Sequence, residues 1–372
     1  MSSTTATVGP SSSNELKKSK VKVAVVQASP IILDREATIE KVAKICKENG
    51  CFGAGAELVL FPEAFISWYP RGNTFGVGIY DVTDEGRDIF KRYWDSSVQV
   101  PGNAVDRLGQ IAKENKLYLA IGVIEREENS GTLYCSILFF SPSGALLGKH
   151  RKLMPTAGEK LCWGYGDGST IPVFDTPIGK FGGVICWENF MPMIRMAMYG
   201  KGVQIYLAPT ADCSDAWLRS MRHIAFEGRC FLLTCNQFVK RSDYKEGVDY
   251  GQSFPSEDPN YVMCRGGSAI IGPRGEMLAG PNYEGEAVLF AELDLGDIIR
   301  SRIDFDPMGH YSRPDVFSLV VNERRNLNVT YVNSEQRGDE TGEGNTDNNK
   351  DGFGLGADKS KAVKDGLKNL KI

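Results

Sequence analysis

Three features of the sequence predict an α/β fold. Short apolar runs that end in Gly, Pro, Asn or Asp alternate with stretches whose apolar residues recur at helical spacing. Three strand-like runs, 117–125, 132–140 and 145–149, succeed one another with no helix between them, which a doubly wound parallel sheet does not allow. Residues 21–322 contain no Pro/Ser-rich linker and read as one domain.

The valine-rich run from Val21 to Gln27 predicts a buried strand, and a helix with Ile39, Val42, Ala43 and Cys46 on one face follows it. Glu57 to Phe61 is a second buried strand that runs into Pro62-Glu63, so a carboxylate emerges at an apolar tip. Helices are expected around Asp84 to Tyr93 and Ala104 to Asn115. Ser141-Pro142-Ser143-Gly144 suits a hairpin turn between the 132–140 and 145–149 strands. His150-Arg151-Lys152 then leads into the loop Trp163 to Ser169, whose glycines have neither the GxGxxG nor the GxxxxGK[ST] spacing of a phosphate cradle.

Phe181 to Ile185 is a short strand that ends at Cys186-Trp187-Glu188-Asn189, and Pro192 opens a helix that stops at Gly200. Val203 to Leu207 leads to another polar tip at Thr210. Ser214 is placed to cap a helix whose Trp217, Met221, Ile224, Ala225 and Gly228 form a core-facing stripe. Cys230 to Asn236 makes a strand, Ser242 to Cys264 a long loop, and Gly267 to Leu293 two or three strands.

Residues 1–20 are Ser/Thr-rich without an apolar signal core and read as a disordered leader; residues 323–372 read as a flexible polar tail. No apolar run approaches the ~18 residues that cross a bilayer. A net charge of −4 gives no general affinity for nucleic acid. Nine cysteines with no CxxC pair read as reduced thiols of a cytoplasmic protein, and with three histidines a zinc cluster is unsupported, so no metal or cofactor is expected.

Cys186, at a strand end before a helix, has free backbone N–H groups and a helix dipole to lower its pKa from the usual ~8.5. A cysteine alone is more often a small buried hydrophobe, so the reading rests on partners. Glu63 and the Thr210 region on other strand tips, with Lys152 on a loop between strands, are the available partners. Tyr69, Trp187 and Thr210 are expected to line the substrate pocket; His150 reads as a structural hydrogen-bonding group, and His223 and His310 carry no assigned chemistry.

Phe61-Pro62-Glu63, His150-Arg151-Lys152-Leu153-Met154-Pro155-Thr156 and Cys186-Trp187-Glu188-Asn189 resemble the Glu-Lys-Cys pattern of the nitrilase superfamily, the last in the form of its true nitrilase branch. The resemblance runs from Val21 to Asn322 in consistent order. Tyr69-Pro70-Arg71-Gly72, Trp163 to Ser169 and Gly309 to Asp315 are similar to the eukaryotic, plant-type members.

That resemblance implies an αββα sandwich that pairs in dimers into an αββα–αββα block, and further assembly into spirals or filaments. It implies Glu63, Lys152 and Cys186 as a catalytic triad, with Glu159 as the family's second glutamate, acting on a small-molecule nitrile. Asp294 to Phe305 and Gly309 to Asp315 are the expected interface segments. Asn236-Gln237-Phe238 and Ala279 to Tyr283 resemble enzymes acting on β-cyanoalanine, which implies an acid product with some amide. An amidase or carbamoyl hydrolase would use the same triad, and a non-catalytic filament-forming scaffold would keep only the fold. Trp187 speaks against the first and the intact triad against the second.

Overall fold

The computed structural model describes residues 18–327 and 329, apart from 49, 50, 52, 128, 245, 246 and 249–253. The leader expected before residue 21 and the tail expected beyond 322 lie almost wholly outside them. In chain order the first half contains β1 (Lys20–Gln27), α1 (Arg35–Glu48), β2 (Leu58–Leu60), α2 (Asp84–Asp95), β3 (Val98–Gln99), α3 (Asn103–Glu114), β4 (Tyr118–Arg126), β5 (Leu133–Phe140) and β6 (Leu146–Arg151). The second half contains β7 (Phe174–Thr176), β8 (Gly179–Gly183), α4 (Pro192–Gly200), β9 (Ile205–Pro209), α5 (Asp215–Gly228), β10 (Phe231–Cys235), β11 (Phe238–Lys240), β12 (Val262–Arg265), β13 (Ser268–Ile271), β14 (Met277–Asn282), β15 (Ala287–Asp294) and α6 (Gly296–Ser301).

These strands form two main sheets. One has the order β15-β1-β2-β4-β5-β6 with β3 added against β4, and the other the order β14-β13-β10-β9-β8-β7. The pleat sends alternate side chains to opposite faces, and every central strand uses both. Val23 and Val25 of β1, Leu58 and Leu60 of β2 and Phe139 of β5 meet Phe181, Ile205, Leu207, Phe231 and Leu233 of the other sheet in one buried cluster.

The intervening residues face outward. Ala24, Val26, Val59 and Leu119 pack under Ile39 and Val42 of α1 and Leu108 and Ile111 of α3. Tyr206, Ala208 and Leu232 pack under Ile194 and Met198 of α4 and Trp217, Met221 and Ile224 of α5. The result is the αββα sandwich, with the central strands β2, β4, β9 and β10 buried on both faces and therefore largely apolar.

Local chemistry fixes the ends of these elements as the sequence leads one to expect. The Ser214 hydroxyl accepts the Trp217 N–H at 3.2 Å to start α5, and Gly144 adopts φ +89° in the β5–β6 turn, where its N–H reaches Ser141 O at 2.9 Å. Four features depart from the sequence reading. The strand before Cys186 stops at Gly183, and a 3₁₀ turn, Cys186–Phe190, separates it from α4. Strands β3 and β7, with two and three residues, are too short to show a period. The last part of the expected 242–264 loop pairs with Phe238–Lys240 as a separate two-stranded sheet, β11–β12. Gly296–Ser301 folds as α6. Among the described residues no helix is long and apolar enough to cross a membrane.

Gly122 of β4 shows how tightly the first sheet holds the site. A Cβ there would lie 2.1 Å from Pro62 O and 2.7 Å from Glu63 Cα. Gly122→Ala is expected to cost about 1–3 kcal/mol through this overpacking, read as a lowered denaturant midpoint. It should also displace Glu63; an unchanged midpoint would show that the Glu63 backbone gives way freely.

Candidate active site

The functional groups come from strand ends. Pro62 has no N–H to continue the β2 ladder, so the chain leaves the sheet there and turns Glu63 inward, 1% exposed. Lys152 stands one residue past β6, its N–H bonded to Cys135 O at 2.8 Å, and is also 1% exposed. Its ammonium donates to Glu63 Oε1 and to Glu159 Oε2, both at 2.7 Å. Glu159 is fixed in turn by the Tyr69 hydroxyl at 2.7 Å and the Thr156 N–H at 2.7 Å.

Cys186 arrives from the second sheet. Parallel strands β8 and β9 are neighbours, and the chain beyond their carboxyl ends places Cys186 Sγ 3.1 Å from Thr210 Oγ1. The Cys186 backbone has φ +54°, a left-handed conformation that costs a non-glycine residue about 1–3 kcal/mol and clusters at functional sites. Gly183 allows the approach: a Cβ there would lie 2.1 Å from Leu207 O.

The electrostatics correct one expectation. The Cys186 thiol is pushed up, not down: burial disfavours the thiolate, the Glu63 charge adds to the effect, and Lys152 offsets it only in part. Cys186 opens a short 3₁₀ turn and not the expected helix, which begins only at Pro192. Burial likewise raises Glu63, against the opposing charge of Lys152 and with Glu159 adding to the rise. Burial acts most strongly on Lys152 and would lower it, but Glu63 first and then its other neighbours together outweigh that, and the ammonium is held well above the usual amine range.

A cavity of ≈ 410 Å³ opens onto this cluster, with Tyr69, Glu159, Cys186 and Trp187 in its wall together with Arg71 and Asp212. Trp187 is 48% exposed and donates its indole N–H to Asp212 Oδ2 at 2.9 Å. Thr210 is fully buried beside the thiol and is not on the cavity wall, a different place from the one expected of it. Lys152 and Glu63 are buried and are not in the cavity wall, which Glu159 and Cys186 reach.

Two contacts had no counterpart in the residue-by-residue reading. Gln237 Nε2 donates to Glu63 O at 2.9 Å from the second sheet, and the Cys135 thiol lies 3.5 Å from Glu63 Oε1. A polar residue just past a buried strand, as Gln237 is past β10, was the available sign. Among the described residues no group of three or more His, Cys, Asp or Glu side chains is arranged to hold a metal ion.

The sequence pattern of the carbon–nitrogen hydrolase family matches residues 22–303. The chain belongs to that family. The hydrolase is 53% identical over 319 residues to the bifunctional nitrilase/nitrile hydratase NIT4B of Nicotiana tabacum, covering 85% of this chain and 90% of that one. It is 50% identical over 322 residues to Nitrilase 2 of Arabidopsis thaliana, covering 86% and 94%. The crystal structure of Saccharomyces cerevisiae Nit3, a member of branch 10 of the nitrilase superfamily, superposes with a TM-score of 0.61 at 25% identity, over 78% of this chain and 96% of that one.

A raised thiol keeps its proton at neutral pH, and its reactivity grows as pH climbs. Peptide-resolved mass spectrometry should therefore find Cys186 alkylation by iodoacetamide still accelerating between pH 7 and 9. Cys213, held below the usual thiol range by a hydrogen bond with the Cys264 thiol, should react first. A Cys186 rate already level below pH 7 would mean a preformed thiolate and contradict the electrostatics.

Proposed function

We propose that this nitrilase adds the Cys186 sulfur to the carbon of a nitrile, with Glu63 as base and Lys152 as the cation facing the developing charge. The observation that carries the reading is Lys152, buried between Glu63 and Glu159, with Glu159 and Cys186 both in the wall of one cavity. As the S–C bond forms, one C–N π bond breaks; Glu63 takes the thiol proton and returns it to nitrogen, leaving a thioimidate. The raised Glu63 suits both halves of that transfer. Water then adds to the thioimidate carbon, with Glu159 keeping Lys152 in place.

The tetrahedral intermediate has two exits. Loss of ammonia leaves a thioester that a second water hydrolyses to the acid, whereas loss of the Cys186 thiolate releases the amide. A barrier difference of ~1.4 kcal/mol changes the ratio tenfold. The bifunctional names of the relatives support a mixed outcome. Their identities fall with nitrilases, so the amidase and scaffold readings are not favoured.

For the substrate we favour β-cyanoalanine, giving aspartate and ammonia with some asparagine. Support comes from the similarity of the Asn236 and Ala279 segments and from Arg71 and Asp212, which offer opposite charges to an amino acid in the cavity. The nine free cysteines support a cytoplasmic location. Exposed Ile299, Ile303, Tyr311 and Phe317, in or beside the two expected interface segments, support a homo-oligomer that grows into spirals or filaments.

Cys186→Ala should lower turnover by at least about 10³-fold with the fold intact by circular dichroism; near-wild-type turnover would overturn the assignment. Incubation with β-cyanoalanine should yield both amino acids. No consumption beside rapid hydrolysis of phenylacetonitrile or benzonitrile would remove the substrate claim. Light scattering on the eluting protein should give masses above the monomer, and a monomer alone at micromolar concentration would refute the assembly.

A further inference from the structure

Glu188 and His150 have no part in the chemistry above, yet both are buried between the two loops that carry it. Glu188 Oε1 accepts the Leu153 N–H at 2.6 Å, and Oε2 accepts the Ile185 N–H at 2.7 Å. Leu153 follows Lys152 in the chain, and Ile185 precedes Cys186. One carboxylate thus fastens the backbone beside the ammonium, which comes from the first sheet, to the backbone beside the thiol, which comes from the second.

His150 completes the fastening. Its Nε2 lies 3.2 and 3.0 Å from the two Glu188 oxygens, and its Nδ1 lies 2.9 Å from Thr170 O. Both ring nitrogens face oxygen acceptors, and the ring fastens the carboxylate where Nε2 carries the proton and donates. The carboxylate is then held against rotation by three donors, two of them backbone and one tied to the 3₁₀ turn Gly168–Thr170. The bonds at Leu153 and Ile185 leave little slack between the chains that carry the reacting groups, and about 1 Å of misplacement costs on the order of 10²-fold in rate.

We propose that Glu188, braced by His150, is a positioning residue that sets the reach of Lys152 to the group bound on Cys186, and with it the choice between acid and amide. This rests on the reading of Cys186 and Lys152 as reacting groups. A glutamine at 188 has one carbonyl oxygen and can serve only one of the two N–H groups. A phenylalanine at 150 removes the brace but leaves both backbone bonds, and a glutamine there restores a donor where Nε2 stood.

The test is steady-state kinetics with product analysis on Glu188→Gln, His150→Phe, His150→Gln and Cys186→Ala, using the nitrile the wild type turns over fastest. Glu188→Gln should lower kcat by about 10²-fold with KM within about threefold, and shift the acid-to-amide ratio. His150→Phe should lower kcat by about tenfold with the same split, and His150→Gln should recover most of it. Wild-type kcat in Glu188→Gln or His150→Phe, a loss confined to KM, or a product ratio unmoved in both would overturn the proposal. Should Glu188→Gln fail to fold, the two His150 variants decide by the same criteria. Turnover surviving in Cys186→Ala would instead overturn the reading beneath it, a separate outcome from an inactive Cys186→Ala beside a fully active Glu188→Gln.

Discussion

An ammonium ion buried between two carboxylates governs this site. Lys152 cannot stay charged in a nearly dry interior without partners, and Glu63 and Glu159 each meet it at 2.7 Å. Two carboxylates around one cation leave the cluster short of positive charge, and burial does most to shift the groups around it. Glu63 is raised, the Cys186 thiol is raised, and the Tyr69 hydroxyl that bonds Glu159 is raised well above the usual phenol range by burial and then by Glu159 and Glu63. A proton is therefore retained near the sulfur. Removing Lys152 would leave two buried carboxylates without their cation, a loss of about 3–5 kcal/mol in comparable pairs.

The backbone was readable where burial alone decided it. Strands β1, β2, β4 and β10 are apolar on both faces because both faces are covered, and the α5 stripe of Trp217, Met221 and Ile224 is buried as its spacing foretold. Ser214 and the Ser141–Gly144 turn were readable because their chemistry is local. The order of the four layers was not; that expectation came from resemblance to a family, since no period in a sequence says which sheet faces which.

The site was legible as a set of residue types and poorly legible as an environment. Glu63, Lys152, Glu159 and Cys186 stand together, but the reasoning that a helix end would lower the thiol gave too little weight to burial and to a neighbouring carboxylate more than a hundred residues away in the chain. Thr210 sits behind the sulfur because β8 and β9 are adjacent and parallel. Glu188, three residues before Met191, reads as one more polar residue in a turn until the sheets bring Leu153 to it.

The division of the site between two sheets has a consequence for how the molecule comes to life. Glu63 and Lys152 belong to one sheet and Cys186 and Thr210 to the other, and the bonds from Gln237 to the Glu63 carbonyl and from Cys235 to the Val26 carbonyl cross the seam. A chain with both sheets formed but not docked would hold all four side chains and yet have no site. Its thiol would stand without the Glu63 carboxylate and the Lys152 ammonium beside it. On the proposed chemistry, catalysis in this architecture is a gauge of closure, appearing only when the two sheets lock together.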